Sequence, residues 1–140
     1  MIFKKEGLFC MDEGLKILLV DDSEIHLIIA ENILKMKYSV TTAKSGKDAL
    51  ALLSKGFVPN LILLDVLMPD MDGWEVYNKI KGISLLRNVP VAFLTSLDGA
   101  KEKLYASRIG AADLITKPYG SEELLSRVES IMERHKEQSK

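Results

Sequence analysis

The segment Leu61–Gly73, LILLDVLMPDMDG, constrains this chain more than any other. It opens with four apolar residues, Leu61-Ile62-Leu63-Leu64, and then meets a carboxylate, Asp65. It breaks at Met68-Pro69-Asp70 and turns at Asp72-Gly73. An apolar run of this length ending in an acid reads as a buried strand that delivers a charge to a sheet edge. Proline cannot continue a central strand, so Asp65 stands where the strand stops and a loop begins. Ligands of open α/β sheets bind at the carboxyl ends of strands. Position alone therefore puts Asp65 where chemistry happens.

The rest of the chain repeats this grammar. Lys16–Val20 (KILLV) is a second short apolar run, followed by Asp21-Asp22-Ser23. It predicts a buried strand with two acids at its C-terminal edge, and Ser23 or Asp22 can cap the helix that follows. That helix spans about residues 24–36, with Ile25, Ile28, Ile29, Asn32 and Ile33 near helical spacing. SVTTA, residues 39–43, is a β-branched second strand, and residues 45–55 form a second helix that Gly56 stops. After the opening strand, a helix runs from Gly73 to about Lys81, and residues 84–88 read as a loop. VAFLT, residues 91–95, is the fourth strand, followed by a helix over residues 100–109. Residues 113–116 are a short fifth strand running into Lys117-Pro118. A last helix starts at Ser121, a good N-cap, and continues to about His135. Its Leu124, Leu125, Val128, Ile131 and Met132 read as core.

Five strands joined by helices must be mainly parallel, with right-handed crossovers and helices on both faces. The expected organisation is a leader over residues 1–14, one α/β domain over residues 15–135 and a polar tail over residues 136–140. The net charge is −1, from 19 basic and 20 acidic residues. Nucleic-acid and membrane-surface binding both need a basic excess, so neither is expected of this chain. No apolar run reaches the roughly 18 residues of a membrane span. The single cysteine, Cys10, excludes an internal disulfide and fits a reducing, cytoplasmic setting.

The unusual polar residues all fall at strand ends: Asp21 and Asp22 after the first, Asp65 after the third, Thr95 after the fourth, Lys117 after the fifth. In a parallel sheet those ends share one edge. Three carboxylates gathered there repel one another, and a proton or a cation must relieve that. A hard divalent ion such as Mg²⁺ takes a few carboxylate oxygens plus phosphate oxygens, and a carboxylate is a competent nucleophile toward phosphorus. Phosphoryl transfer also needs a cation and hydrogen-bond donors, which Lys117 and Thr95 supply.

The ordered set KILLVDDS, TAKSGKDAL, LILLDVLMPDMDG, VPVAFLTS and GAADLITKPY resembles the receiver domain of two-component response regulators. The resemblance runs from Lys16 to about Arg134. It implies a flavodoxin-like five-stranded parallel sheet of order 2-1-3-4-5. It implies that Asp65 accepts a phosphoryl group from a sensor histidine kinase or a phosphotransfer protein. The implied metal ligands are Asp21, Asp22, Asp65 and the backbone carbonyl of Leu67, holding Mg²⁺ or, in its place, Mn²⁺. Thr95 and Lys117 would engage the phosphoryl oxygens, with a cis bond before Pro118. The domain would not be a turnover enzyme. It would catalyse only its own phosphorylation and the loss of that group, and would act on an output domain or target protein. Homodimers would form through the fourth helix, fifth strand and fifth helix.

Two positions depart from the usual pattern. The switch position three residues before Lys117 commonly carries Tyr or Phe, and here it is Leu114. The residue after Pro118 is Tyr119 where Phe is more usual. Leu114 leaves open a degenerate receiver that works as a phosphorylation-independent interaction module. An aspartate-nucleophile phosphatase of the haloacid dehalogenase type would need an acid at Leu67, and a flavin-binding module would need a phosphate-cradling loop where the chain has Asp21 and Asp22. The histidines His26 and His135, and Trp74, read as structural or surface residues.

Overall fold

The computed structural model describes residues 14–97 and 99–138. Five strands, β1 (Lys16–Val20), β2 (Ser39–Ala43), β3 (Leu61–Asp65), β4 (Val91–Thr95) and β5 (Asp113–Thr116), form one sheet. The order is β2-β1-β3-β4-β5, and every neighbouring pair is parallel. Five helices alternate with them: α1 (Glu24–Leu34), α2 (Gly46–Ser54), α3 (Gly73–Lys81), α4 (Ala100–Ile109) and α5 (Ser121–Gln138). The flavodoxin-like arrangement expected from the sequence is the one observed. The leader assigned to residues 1–14 lies outside the described residues except for Gly14.

β1 and β3 sit in the middle of the sheet and are apolar on both sides because both sides are covered. Ile62 and Leu64 face one core, with Leu18, Val20, Phe93, Val76 and Ile80. Leu61 and Leu63 face the other, with Ile17, Leu19, Leu34, Leu94 and Leu124. Fully burying each such side chain contributes roughly 1.5–3 kcal/mol, which offsets much of the ordering entropy of these short strands.

Several local expectations change. α1 ends at Leu34 rather than Met36, and Ser23 is its cap: its hydroxyl accepts from the His26 backbone N–H. The face of α1 that packs is Leu27, Ala30 and Leu34, while Ile25, Ile28 and Ile29 are exposed. Residues 84–86 form a 3₁₀ turn rather than open loop. α5 continues to Gln138, past the expected end at His135. Ser121 is the first residue of α5, with the Leu124 N–H reaching back to the Gly120 carbonyl, and not its cap. Leu124, Val128 and Ile131 are wholly buried, and Leu125 and Met132 pack partly against the same core.

The loop after β3 is held tightly. The Gly73 N–H donates to the Val66 carbonyl at 2.8 Å, and the Met71 N–H to the Pro69 carbonyl at 2.7 Å. Asp70 sits at φ 68°, a left-handed conformation that Asp tolerates better than most residues. A Cβ on Gly73 would strike the Asp65 carbonyl oxygen and come within 2.8 Å of the Val66 Cα. Only glycine lets α3 start this close to the end of β3, and that closeness fixes the direction in which Asp65 leaves the sheet.

Candidate functional site

Parallel strands bring their carboxyl ends to one edge, and the sequence places its acids there. Asp21 leaves β1 with its N–H bonded to the Ala43 carbonyl at 3.1 Å. Asp21 is buried at 2% exposure and Asp65 at 5%, while Asp22 faces solvent. One carboxylate oxygen from each of the three lies within 4.8 Å of the others. Lys117 enters from the loop after β5. Its Nζ donates to Asp21 Oδ2 at 2.6 Å and stands 3.6 Å from Asp65 Oδ2. Its backbone N–H donates to the Thr95 carbonyl at 2.8 Å, and the Lys117–Pro118 peptide is cis. A cavity of about 540 Å³ opens over these groups, walled also by Ser23, His26, Ile29, Leu67, Ser96 and Tyr119.

The electrostatics follow from this crowding. Burial pushes the Asp65 carboxyl up to about 6, and Asp21 adds to the rise. The Lys117 charge and the Leu67 N–H, 3.4 Å from Asp65 Oδ1, pull the other way and do not cancel it. Burial, with the charges of Asp21 and Asp65, pushes the Tyr119 phenol up to about 12, so it stays a neutral wall. The ammonium of Lys117 is thus the internal counter-charge for two buried acids. Oxygen donors gathered around so little positive charge are the donor set that hard divalent ions prefer.

Comparison with known proteins decides the family. The family model for the response regulator receiver domain matches residues 17–129. The chain belongs to the receiver domain family. This receiver is 40% identical over 117 residues to the response regulator PleD of Caulobacter vibrioides, covering 83% of this chain and 26% of PleD. It is 37% identical over 119 residues to PilG of Pseudomonas aeruginosa, covering 84% of this chain and 87% of PilG. The chain thus spans about a quarter of the length of PleD and most of that of PilG. Among solved structures, the chemotaxis protein CheY4 of Vibrio cholerae superposes with a TM-score of 0.78 at 30% identity, covering 84% of this chain and 98% of that one. A BeF3-activated DrrB receiver domain gives 0.75 at 32%, covering 85% and 97%. Receiver domains typically act as signalling switches rather than as turnover enzymes. Among the described residues no helix is long and apolar enough to cross a membrane.

In this receiver Asp21, Asp22, Asp65 and Lys117 meet as the sequence pattern suggested. Leu67 is half exposed at the cavity wall. Thr95 is fully buried at the end of β4, and its Oγ1 accepts from the Leu97 N–H at 3.1 Å; Ser96, not Thr95, lines the cavity. Leu114 lies in the core beside Phe93, its partner across the β4–β5 ladder. Trp74 is away from the cavity. Its ring meets Phe93 at 4.5 Å and Tyr105 of α4 edge-on at 4.8 Å. His26, which by sequence alone reads only as a structural or surface residue, reaches the cavity from the first turn of α1. The available signal was the Ser23 cap directly after two strand-end acids, which sets the third helical residue above the sheet edge.

Proposed function

We propose that this receiver is a phosphorylation-activated switch whose acceptor is Asp65 and whose reaction depends on Mg²⁺, with Mn²⁺ able to replace it. The observation that carries the reading is the meeting of Asp21, Asp22, Asp65 and Lys117 in one cavity at the strand edge. Asp21, Asp22 and Asp65, with the Leu67 carbonyl, would hold the ion. Once bound, it would neutralise the acids and the oxygens of an incoming phosphoryl group.

The chain's own groups do the rest. An Asp65 oxygen attacks phosphorus in line, and its new bond to phosphorus forms as the donor's nitrogen–phosphorus bond breaks. Lys117 turns from Asp21 toward the added oxygens. The group brings roughly −1.5 to −2 charges to this edge. Thr95 must release its contact with the Leu97 N–H and swing its hydroxyl toward the new oxygens, which draws the loop before α4 with it. Moving a two-state domain from about 1:99 to 99:1 takes about 5.5 kcal/mol. One hydrogen bond to a charged group supplies roughly 1.5–3 kcal/mol, so Thr95 cannot carry the switch alone. Attack by water on phosphorus then breaks its bond to the Asp65 oxygen, releasing inorganic phosphate and restoring the carboxylate.

The donor would be a sensor histidine kinase or a phosphotransfer protein. Ile29 and Leu67, which line the cavity, and Ile25 and Ile28 elsewhere on α1 are exposed apolar residues that offer such a protein a surface to dock on. The readout would pass to an output domain or target protein through α4, β5 and α5, the face where a homodimer would also form. Leu104 and Tyr105 of α4 are exposed on that side of the fold. A phosphorylation-independent interaction module would leave the buried acids without purpose.

Incubation with acetyl phosphate and Mg²⁺, followed by intact mass, tests the reading. One phosphoryl adduct is expected with Mg²⁺ and none with a chelator; no adduct under either condition overturns the proposal. Mg²⁺ alone should also stabilise the fold, by about 2.7 kcal/mol at a concentration 100-fold above its Kd. Urea denaturation with and without the ion reads this directly.

A further inference from the structure

The imidazole of His26 stands at the mouth of the same cavity, and the chemistry above gives it no task. Lys117 Nζ and His26 Nδ1 are 3.0 Å apart. An ammonium has only protons to give, so Nδ1 is the acceptor. The same Nδ1 lies 3.6 Å from Asp21 Oδ2, the oxygen to which Lys117 donates at 2.6 Å. The backbone fixes where this ring originates. The Ser23 N–H donates to Asp21 Oδ1 at 2.9 Å, and the His26 N–H donates to Ser23 Oγ at 3.3 Å. Asp21, Ser23, His26 and Lys117 therefore close a cycle of hydrogen bonds, in which His26 is the member contributed by the α1 helix proper.

The cycle matters because of what a cation would do to it. An ion held by Asp21, Asp22 and Asp65 draws on the oxygens that hold Lys117 in the metal-free protein. Lys117 then loses its shortest contact. His26 Nδ1 is not one of the three carboxylates and remains. We propose that His26 is a positioning residue that keeps the Lys117 ammonium at the cavity when the acids are engaged elsewhere. The inference rests on the reading of Lys117 as the cation that faces the phosphoryl group. It requires no contact between His26 and that group.

His26→Ala removes the acceptor, and His26→Asn returns an amide oxygen close to where Nδ1 stands. Two readouts separate positioning from a general structural effect. The first is acylation of Lys117 by an acetyl ester, followed by peptide mass, with and without Mg²⁺. In His26→Ala the acylation should be about 3- to 10-fold faster, within the range of a typical net intramolecular hydrogen bond, and the difference should widen when Mg²⁺ is present. The second is the rate of adduct formation from acetyl phosphate at saturating Mg²⁺, which should fall by a comparable factor. His26→Asn should restore both to near the wild-type values. Equal behaviour of His26→Ala and wild type in both readouts overturns the proposal, as does His26→Asn behaving like His26→Ala. If the wild type accepts no phosphoryl group, the proposed function falls, while the acylation comparison still decides the role of His26.

Discussion

Asp65→Asn is expected to stabilise the metal-free protein at neutral pH while abolishing its phosphorylation. The two effects share one cause. Asp65 ends a fully buried strand, and burial lifts its carboxyl from 3.8 to about 6. The folded state therefore keeps the proton to higher pH than the unfolded chain. Between those values folding binds a proton, so stability falls as pH rises through the window, and above about 6 the full cost of the buried charge remains. The ceiling of that cost is about 3 kcal/mol; water at the open mouth of the cavity screens it to on the order of 1–2 kcal/mol. Asparagine fills the same space without the charge. Urea denaturation should show the variant ahead by that amount near neutral pH, with the gap closing as pH falls toward 4. Mg²⁺ should reverse the order, because the wild type gains binding energy that the variant has lost a ligand for. A variant less stable than wild type in the absence of metal would mean that Asp65 is compensated in a way the site geometry does not reveal.

Lys117→Met should push in the opposite direction. Lys117 is the counter-charge that touches Asp21 and approaches Asp65, and its own side chain is only 12% exposed. Methionine keeps most of its length and apolar stem. The loss leaves two buried acids facing each other, at a cost of about 2–4 kcal/mol in the metal-free protein, limited because Asp65 can take up a proton instead. The cation affinity should rise, since an ion no longer competes with an ammonium for Asp21. A unit charge removed from within a few ångströms predicts at least about a tenfold tighter Kd for Mg²⁺. Adduct formation from acetyl phosphate should nevertheless slow at saturating Mg²⁺. Tighter metal binding with slower transfer is a combination that general unfolding cannot produce. Unchanged stability and unchanged metal affinity would remove Lys117 from the electrostatics of the site.

The parts of this receiver that were legible from sequence are those set by strand ends. An apolar run stopped by an acid leaves little choice of element or of sheet edge, so the pattern alone brings Asp21, Asp65 and Lys117 together. Helix faces were less legible. α1 carries apolar residues on both sides, and periodicity pointed to Ile25, Ile28, Ile29 and Ile33, whereas packing selected Leu27, Ala30 and Leu34, with Ile33 alone of the four isoleucines packed partly against the same core. Ile25, Ile28 and Ile29 remain exposed, and of the three Ile29 lines the cavity. His26 was hidden for a related reason: its partner is 91 positions away, and only the loop after β5 brings Lys117 beside it. The aromatic contact of Phe93, Trp74 and Tyr105 joins β4, α3 and α4, and no local pattern announces it. It places Trp74 against α4 rather than at Asp21, Asp22 and Asp65. Its fluorescence should accordingly follow the movement of α4 more than the arrival of an ion.

The central claim is that the phosphoryl group arrives on Asp65 and nowhere else. Reduction with borohydride after treatment with acetyl phosphate and Mg²⁺ converts an aspartyl phosphate to homoserine and leaves ordinary carboxylates intact. Peptide sequencing by mass should find homoserine at position 65 alone, only when Mg²⁺ was present, and not in Asp65→Asn. Homoserine at Asp21 or Asp22, a phosphoryl group retained on His26, or no modification in any peptide would contradict the account.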